Sequence, residues 1–281
     1  TEHGASGFEA GAAAGGSVVP ERLGARISGS YRREGGYVDR IDWHRGVMAD
    51  ADANTAVTST VRLALKWAAG DSLTVSPSLF YQHRHVADTS AYWARVPGSA
   101  DPSGGQFDEP LRNGNNIANP STDVFHLWAL RLNWDLAGVR VISSSSYFDR
   151  RQAAITDYST YNRAVLLGDP YPPADVRAPT QWADEQQNWT QEFRLESSDP
   201  AARLSWTAGA FAQRARENTV ENVFDPALVA QLQLPVFRGG YIYFQQPFRS
   251  TDTQVALFGQ ADWRLSDALK LTLGLRFTHA R

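Results

Sequence analysis

The residues whose types and spacing could bind a metal are few. His83 and His85 stand two apart, so on a β-strand both imidazoles emerge on one face, as a pair of metal ligands would. They lie where a strand pattern runs out into a long loop, and the competing reading is a wet position at an interface. Asp50, Asp52 and Asn54 have the alternating oxygen spacing that opens a calcium loop. Thr55 stands where that loop needs glycine, however, and Val61 where it needs its terminal glutamate, which leaves a polar loop as the ordinary reading. Asn188-Trp189-Thr190 fits a glycosylation sequon but falls inside a strand pattern, where it carries no weight. There is no Gly-x-Ser-x-Gly elbow, no phosphate-binding glycine loop and no His-Glu-x-x-His. With Cys 0, a disulfide framework, zinc fingers and thiol catalysis are excluded. These residues predict neither an enzyme nor a resident cofactor or metal.

The aromatic residues say more. The chain has Trp 9, Tyr 10 and Phe 13 against Met 1. Many of them fall between the regular segments: Tyr92 and Trp93; Tyr158, Tyr161 and Tyr171; Trp182; Phe237, Tyr241, Tyr243 and Phe244. Exposed rings of this kind suit stacking against flat or cyclic ligands such as siderophores, porphyrins or sugars. Packing of one loop on another is an equal reading for any single ring. Tyr92, Trp93, Tyr158, Tyr161, Trp182 and Tyr241 are the candidate ligand-contacting residues.

What must position them is a series of strands, because hydrophobicity alternates with period 2 through most of the chain. Val57, Ser59, Val61, Leu63, Leu65 and Trp67 share a face opposite Thr58, Thr60, Arg62, Ala64 and Lys66. Val255 to Leu265 and Leu269 to Phe277 repeat the pattern, and similar runs cover Leu23 to Tyr31, Leu73 to Tyr81, Val124 to Leu136 and Trp189 to Leu195. Val139 to Arg150 is blurred by Ser143 to Ser146, and residues 8 to 18 are mostly Gly and Ala. The runs are about 10 to 14 residues long, whereas soluble strands run about 5 to 6. A tilted strand crosses a bilayer in about 9 to 11. No stretch of about 18 apolar residues exists for a spanning helix, which does not bear on a barrel.

Connection lengths alternate. Short links fall at Pro20-Glu21, Ala69 to Asp71, Ala137-Gly138, Asp199-Pro200 and Ser266-Asp267. Long ones run from Glu34 to Ala56, Val86 to Thr122, Arg151 to Glu185 and Glu217 to about Arg249. Outer-membrane barrels have tight periplasmic turns and long outward loops. Trp67, Trp134, Trp206 and Trp263 all lie on the apolar face next to a short turn, as an interfacial girdle requires; sandwich-core tryptophan is the alternative. Arg62, Lys66, Arg131, Glu192, Arg194, Glu196, Asp262, Arg264, Lys270 and Arg276 share the opposite face. A lipid-facing charge costs about 2 to 4 kcal/mol at the bilayer centre, so their confinement to one face predicts a polar lumen. A net charge of −3 without a basic run gives no nucleic-acid signature.

Three segments resemble TonB-dependent receptors of the outer membrane. YRREGGYVDR (Tyr31 to Arg40) is similar to the end of an early barrel strand entering a Gly-Tyr loop. QEFRLES (Gln191 to Ser197) is similar to a mid-barrel strand. LFGQADWRLSDALKLTLGLRFTHAR (Leu257 to Arg281) resembles the family's hairpin, with its Ser-Asp turn and Gly-Leu-Arg strand. The resemblance covers nearly the whole chain, while the loops match no motif. It implies an all-β transmembrane antiparallel up-and-down β-barrel, present as an open partial barrel of about ten strands over residues 1–281. The family's barrel has about 22 strands behind a plug domain, and the chain shows neither plug nor TonB-contacting box. Thr1 is not a Met and Arg281 falls inside a strand pattern, so a fragment at both ends is expected.

The function the resemblance implies is uptake of a scarce nutrient across the outer membrane of a Gram-negative bacterium. Family frequency favours an iron–siderophore complex, with cobalamin, haem, oligosaccharides or aromatic compounds as other cargoes. The implied partners are outer-membrane lipid, the nutrient ligand and the TonB–ExbB–ExbD complex acting through a plug, with no nucleic acid. A passive porin-like or structural barrel is the alternative, and a soluble all-β binding or hydrolytic module a third.

Overall fold

The computed structural model describes residues 4–94, 109, 111–168, 171, 173–199, 201–235 and 242–281. One antiparallel sheet of ten strands follows chain order: β1 (Phe8–Val19), β2 (Leu23–Glu34), β5 (Ala56–Ala68), β6 (Leu73–Val86), β8 (Ser121–Leu136), β9 (Val139–Asp157), β10 (Pro179–Ser197), β11 (Leu204–Phe224), β12 (Ile242–Ser266) and β13 (Leu269–Ala280). A small second sheet holds β3 (Asp39–Asp42), β4 (Val47–Asp50) and β7 (Arg112–Asn113). Two short helices, α1 (Ser159–Leu167) and α2 (Pro226–Leu232), sit in the long connections. Among the described residues β1 and β13 do not pair, so the sheet is an open, partial barrel wall.

Register sorts the side chains cleanly. In β10 the exposed residues are Gln181, Ala183, Glu185, Gln187 and Trp189, while Trp182, Asp184, Gln186, Asn188 and Thr190 are half-buried. Neither face has a covering layer, so this difference comes from curvature: side chains on a concave face crowd one another. Following the pairing across the sheet puts Arg62, Arg131, Arg194, Asp262, Lys270 and Arg276 on that concave face. There the Lys270 ammonium lies 3.0 Å from Asp262, Thr272 donates to Asp262 at 2.7 Å, and Arg276 covers the Phe211 and Phe258 rings. Leu269, Leu271, Leu273, Leu275 and Phe277 point to the convex side and are exposed.

The four girdle tryptophans fix the tilt. The residue of β12 in register with Trp67 of β5 is Leu257, whereas the girdle residue of that strand is Trp263. The level marked by tryptophan thus slips by six residues over six strand-to-strand steps. At about 3.3 Å per residue and about 4.8 Å per step, that stagger is a tilt of about 35°. Transmembrane barrels have this slope.

Several strands are longer than periodicity predicts. Trp182 lies within β10 rather than in a loop, and Tyr243 and Phe244 lie within β12. The cause is physical: past the apolar belt both faces become polar, as at Arg214, Arg216, Glu217 and Asn218, and the alternation disappears. Backbone pairing is indifferent to that polarity and runs on in register. The segment from Glu34 to Ala56 is likewise not structureless, since it holds β3 and β4.

The packed core sits at the long-loop end. Val38, Ile41, Ala53, Ala56, Val176, Ala178, Val223, Leu228 and Val229 are buried there, with Ile142 and Ala256 the buried apolar residues within the wall.

Candidate functional site

Buried polar hubs tie the loops together above the wall. The Asp88 carboxylate, 1% exposed, accepts from Arg40 Nε at 3.0 Å and from the Thr89 and Asn119 amides at 2.8 Å. Asp157 accepts from the Ile117 and Ser159 amides, and Asn54 Oδ1 from the Tyr37 and Val38 amides at 2.7 and 2.8 Å. Asp225 caps α2 through the Leu228 amide and receives the Asn162 side-chain amide of α1 at 3.0 Å. The Asn54 hub closes the first long connection on itself, and those of Asp88, Asp157 and Asp225 join one connection to another, so the four form one scaffold. A buried carboxylate stripped of these donors would be expensive, which keeps the loops in place.

On this scaffold two of the candidate residues meet. Tyr158 precedes α1 and Tyr161 lies in its first turn, with ring centroids 4.9 Å apart. They line a hollow of about 310 Å³ with Asn162, Val165, Leu166, Glu221, Val223 and Gln246. Burial and the adjacent Glu221 carboxylate, hydrogen-bonded to the phenol, push Tyr158 up to about 12. Its hydroxyl therefore stays a donor at all ordinary pH. Tyr161, Val165 and Leu166 are exposed at the rim. The arrangement offers a stacking surface, an apolar shelf and a carboxylate beside a neutral phenol.

The other candidates are dispersed. Trp182 is opposite Glu221 in the β10–β11 register but lines a neighbouring hollow with His85, Thr122 and Ala154. Tyr92 is exposed, and the Trp93 amide donates to the Arg112 carbonyl of β7 at 2.8 Å, away from the tyrosine pair in the bonding scheme. Tyr241 and Phe237 lie outside the described residues. Sequence reasoning missed Glu221, Asn162 and Gln246, because nothing local distinguishes a glutamate or an amide of a polar strand end. It also missed Trp43, which stacks on His44 at 3.8 Å and meets Tyr171 edge-on at 6.3 Å. A Trp-His pair in a long connection was the available signal.

The residues with metal-like spacing have other partners. Asp50 pairs with Arg40 at 3.5 Å, the Asp39 carboxylate accepts from the Asp52 amide, and Asn54 is a hub. His83 and His85 do share the convex face, and His85 Nδ1 lies 3.0 Å from the Thr122 hydroxyl. Among the described residues no cluster of three or more His, Cys, Asp or Glu is poised to hold a metal.

Below the mouth, the concave wall carries a ladder of charges. Glu34 takes Arg84 at 2.9 Å and Arg32 at 3.0 Å. Arg150 grips Asp123 with two nitrogens and reaches Gln186, which donates to Glu217 at 3.3 Å. Lower down, Arg194 bridges Glu192 and Glu196. A file of Phe80, Phe125 and Phe148, the first pair stacked and the second tilted, with centroids 5.5 and 5.4 Å apart, interrupts the charges.

The family model for the TonB dependent receptor-like β-barrel matches residues 67–281. Among solved structures, the ferric yersiniabactin uptake receptor FyuA from Yersinia pestis aligns with a TM-score of 0.71 at 12% identity, over 98% of this chain and 37% of its own. BauA, the ferric preacinetobactin receptor from Acinetobacter baumannii, gives 0.57 at 12% identity over 98% and 39%. The RagAB peptide transporter gives 0.64 at 8% identity over 97% and 32%. At these identities the likeness is one of fold, and the chain spans well under half the length of each. Taken with the family match over most of its residues, the tilted open wall belongs to the TonB-dependent receptor family, as a portion of its β-barrel.

Proposed function

We propose that this chain forms part of the wall and mouth of an outer-membrane transporter that is driven through TonB and takes up an iron–siderophore complex. The observation that carries the reading is the mouth itself: Tyr158, Tyr161, Glu221 and Gln246 gather around a hollow of about 310 Å³ on the long-loop side of a receptor-family barrel. Planar catecholate or heteroaromatic chelates stack on such rings, while the Tyr158 hydroxyl is engaged by Glu221. Two of the solved relatives are named as receptors for ferric yersiniabactin and ferric preacinetobactin, which supports iron as cargo. In this reading the outer loops capture the chelate, and the TonB–ExbB–ExbD complex drives its release inward by rearranging a plug domain.

A peptide cargo is the second reading, because the RagAB relative is named a peptide transporter. Uptake of labelled ferric siderophores by cells whose own receptors are deleted, carrying the full-length protein, is the test. Saturable uptake that vanishes when TonB is deleted is expected. Uptake that persists without TonB would make the barrel a passive pore, and uptake of peptides alone would reassign the cargo.

A further inference from the structure

Beyond the apolar belt of the convex face, β11 carries Arg214 and Arg216 at alternate positions, so both guanidinium groups emerge on the same side. Both are exposed, and neither forms an ion pair among the described residues. The register explains why. Their cross-strand neighbours are Trp189 and Gln187 on β10, and Thr253 and Thr251 on β12, none of them acidic. Glu217, next in sequence, is on the concave face with Gln186. Of the outward carboxylates nearby, Asp149 already accepts from Gln187 at 3.3 Å and lies 3.9 Å from Arg151, and Glu185, diagonal to Arg216, stands directly opposite Arg151. Tyr147, Gln187, Trp189, Arg214 and Arg216 enclose a hollow of about 250 Å³, with rings on the belt side and cations above.

Height says what this hollow meets. Trp206 marks the turn-side girdle on the same strand, and Arg214 and Arg216 follow it eight and ten residues later. At about 3.3 Å per residue and a tilt of about 35°, the pair stands about 22 to 27 Å above that girdle. The apolar band of an outer-membrane barrel is about 25 Å tall. The rings therefore fall at the loop-side interface and the guanidinium groups at headgroup level. A guanidinium fork matches phosphate oxygens two at a time, and two forks at alternate positions can share one phosphate.

We propose that this hollow binds the phosphorylated headgroup of a glycolipid in the loop-side leaflet, one phosphate held between Arg214 and Arg216 and the sugar against Trp189 and Tyr147. The proposal rests on the outer-membrane reading given above. It differs from general basic attraction to a membrane, because the site needs two specific forks and an aromatic floor on neighbouring strands.

The test uses the full-length receptor purified in a neutral detergent, with native mass spectrometry counting bound lipid. Diphosphorylated lipid A is the probe, alongside the same lipid stripped of phosphate, phosphatidylglycerol and inorganic phosphate. Retention of diphosphorylated lipid A with a preference of about tenfold over the stripped lipid is expected. Arg214→Gln/Arg216→Gln should abolish that preference, and the lumen-side control Lys66→Gln should preserve it. Equal binding of stripped lipid, unchanged retention by the double variant, or complete displacement by equimolar inorganic phosphate would overturn the site. Heat-modifiable migration on a gel is read on every sample. If even the wild type lacks it, the barrel reading has failed and the lipid site with it; if migration is normal and the preference is absent, the site alone has failed.

Discussion

Tyr158 shows how one side chain's surroundings set its use. Burial comes first and the Glu221 carboxylate second, and both hold the phenol neutral up to about 12. The folded-state value lies above the ordinary 10.0, so whatever the neutral phenol contributes is complete below pH 10.0 and is lost as pH rises towards 12. Glu221→Gln removes the second cause and leaves burial, so the Tyr158 transition should move part-way back. NMR titration of ring-labelled tyrosine, assigned with Tyr158→Phe, checks this; a Tyr158 transition unmoved by Glu221→Gln would separate the two residues. For the mouth as a ligand site, Tyr158→Ala with Tyr161→Ala should weaken chelate binding by about tenfold, the usual scale for losing a pair of stacking rings. Equilibrium binding to the full-length receptor is the measurement.

At the scale of elements, two devices hold the wall and its loops. The first is the close approach of β11 to β12, where Phe258 lies flat across Gly209. A Cβ at Gly209 would sit 2.4 Å from the Phe258 ring and 2.8 Å from the Phe193 carbonyl. The ring in turn supports the Arg194 and Arg276 guanidinium groups at 6.0 and 5.6 Å. Gly209→Val should therefore displace Phe258 and lower the unfolding temperature of the folded barrel, with loss of heat-modifiable migration as the severe limit; an unchanged melt would mean the ring has room to move. The second device is the set of loop hubs. Asp88→Ala takes the acceptor from the Thr89 and Asn119 amides and leaves Arg40 with Asp50 alone, at a cost of about 1 to 3 kcal/mol. Hydrogen exchange should rise around residues 111–119 while the strands remain protected. Uniform exchange across the wall would instead show that hub and barrel unfold together.

For the whole molecule, what matters is that among the described residues nothing covers the convex face. Leu257, Leu273, Leu275 and Phe277 are 64 to 80% exposed, a surface that only lipid or detergent satisfies. Leu273→Arg places a charge within this belt and should destabilise the folded receptor by about 2 to 4 kcal/mol, less if it lies near an interface. Urea unfolding in lipid vesicles measures it. Among the described residues β1 and β13 also have backbone edges without a strand partner, which water-soluble proteins avoid and membranes do not tolerate. Residues 1–281 produced alone should aggregate, and detergent should not rescue them as a heat-modifiable barrel. A monodisperse, cooperatively melting, soluble monomer in size-exclusion chromatography and circular dichroism would contradict the membrane assignment.

About ten strands, their order and the alternation of turn and loop were legible in the residues, from period-2 patterning and local turn chemistry, although Ser143 to Ser146 blurred the faces of one strand and the Gly and Ala of residues 8 to 18 hid those of another. The row of tryptophans was legible too, since Trp67, Trp134, Trp206 and Trp263 each lie within four residues of the strand end beside a short turn. Strand ends were not, because a ladder continues by backbone bonding after the side-chain pattern that announces it has stopped. Trp182 and the stretch around Arg214 and Arg216 were hidden for that reason. The mouth was legible only as a set of ring types. Tyr158 and Tyr161 come together because they share a helix, but Glu221 and Gln246 join them from β11 and β12. Asp225 joins Asn162 across a separation of 63 residues. Such meetings depend on long-range register and on buried hubs, and no local signal encodes which polar residue will find which partner.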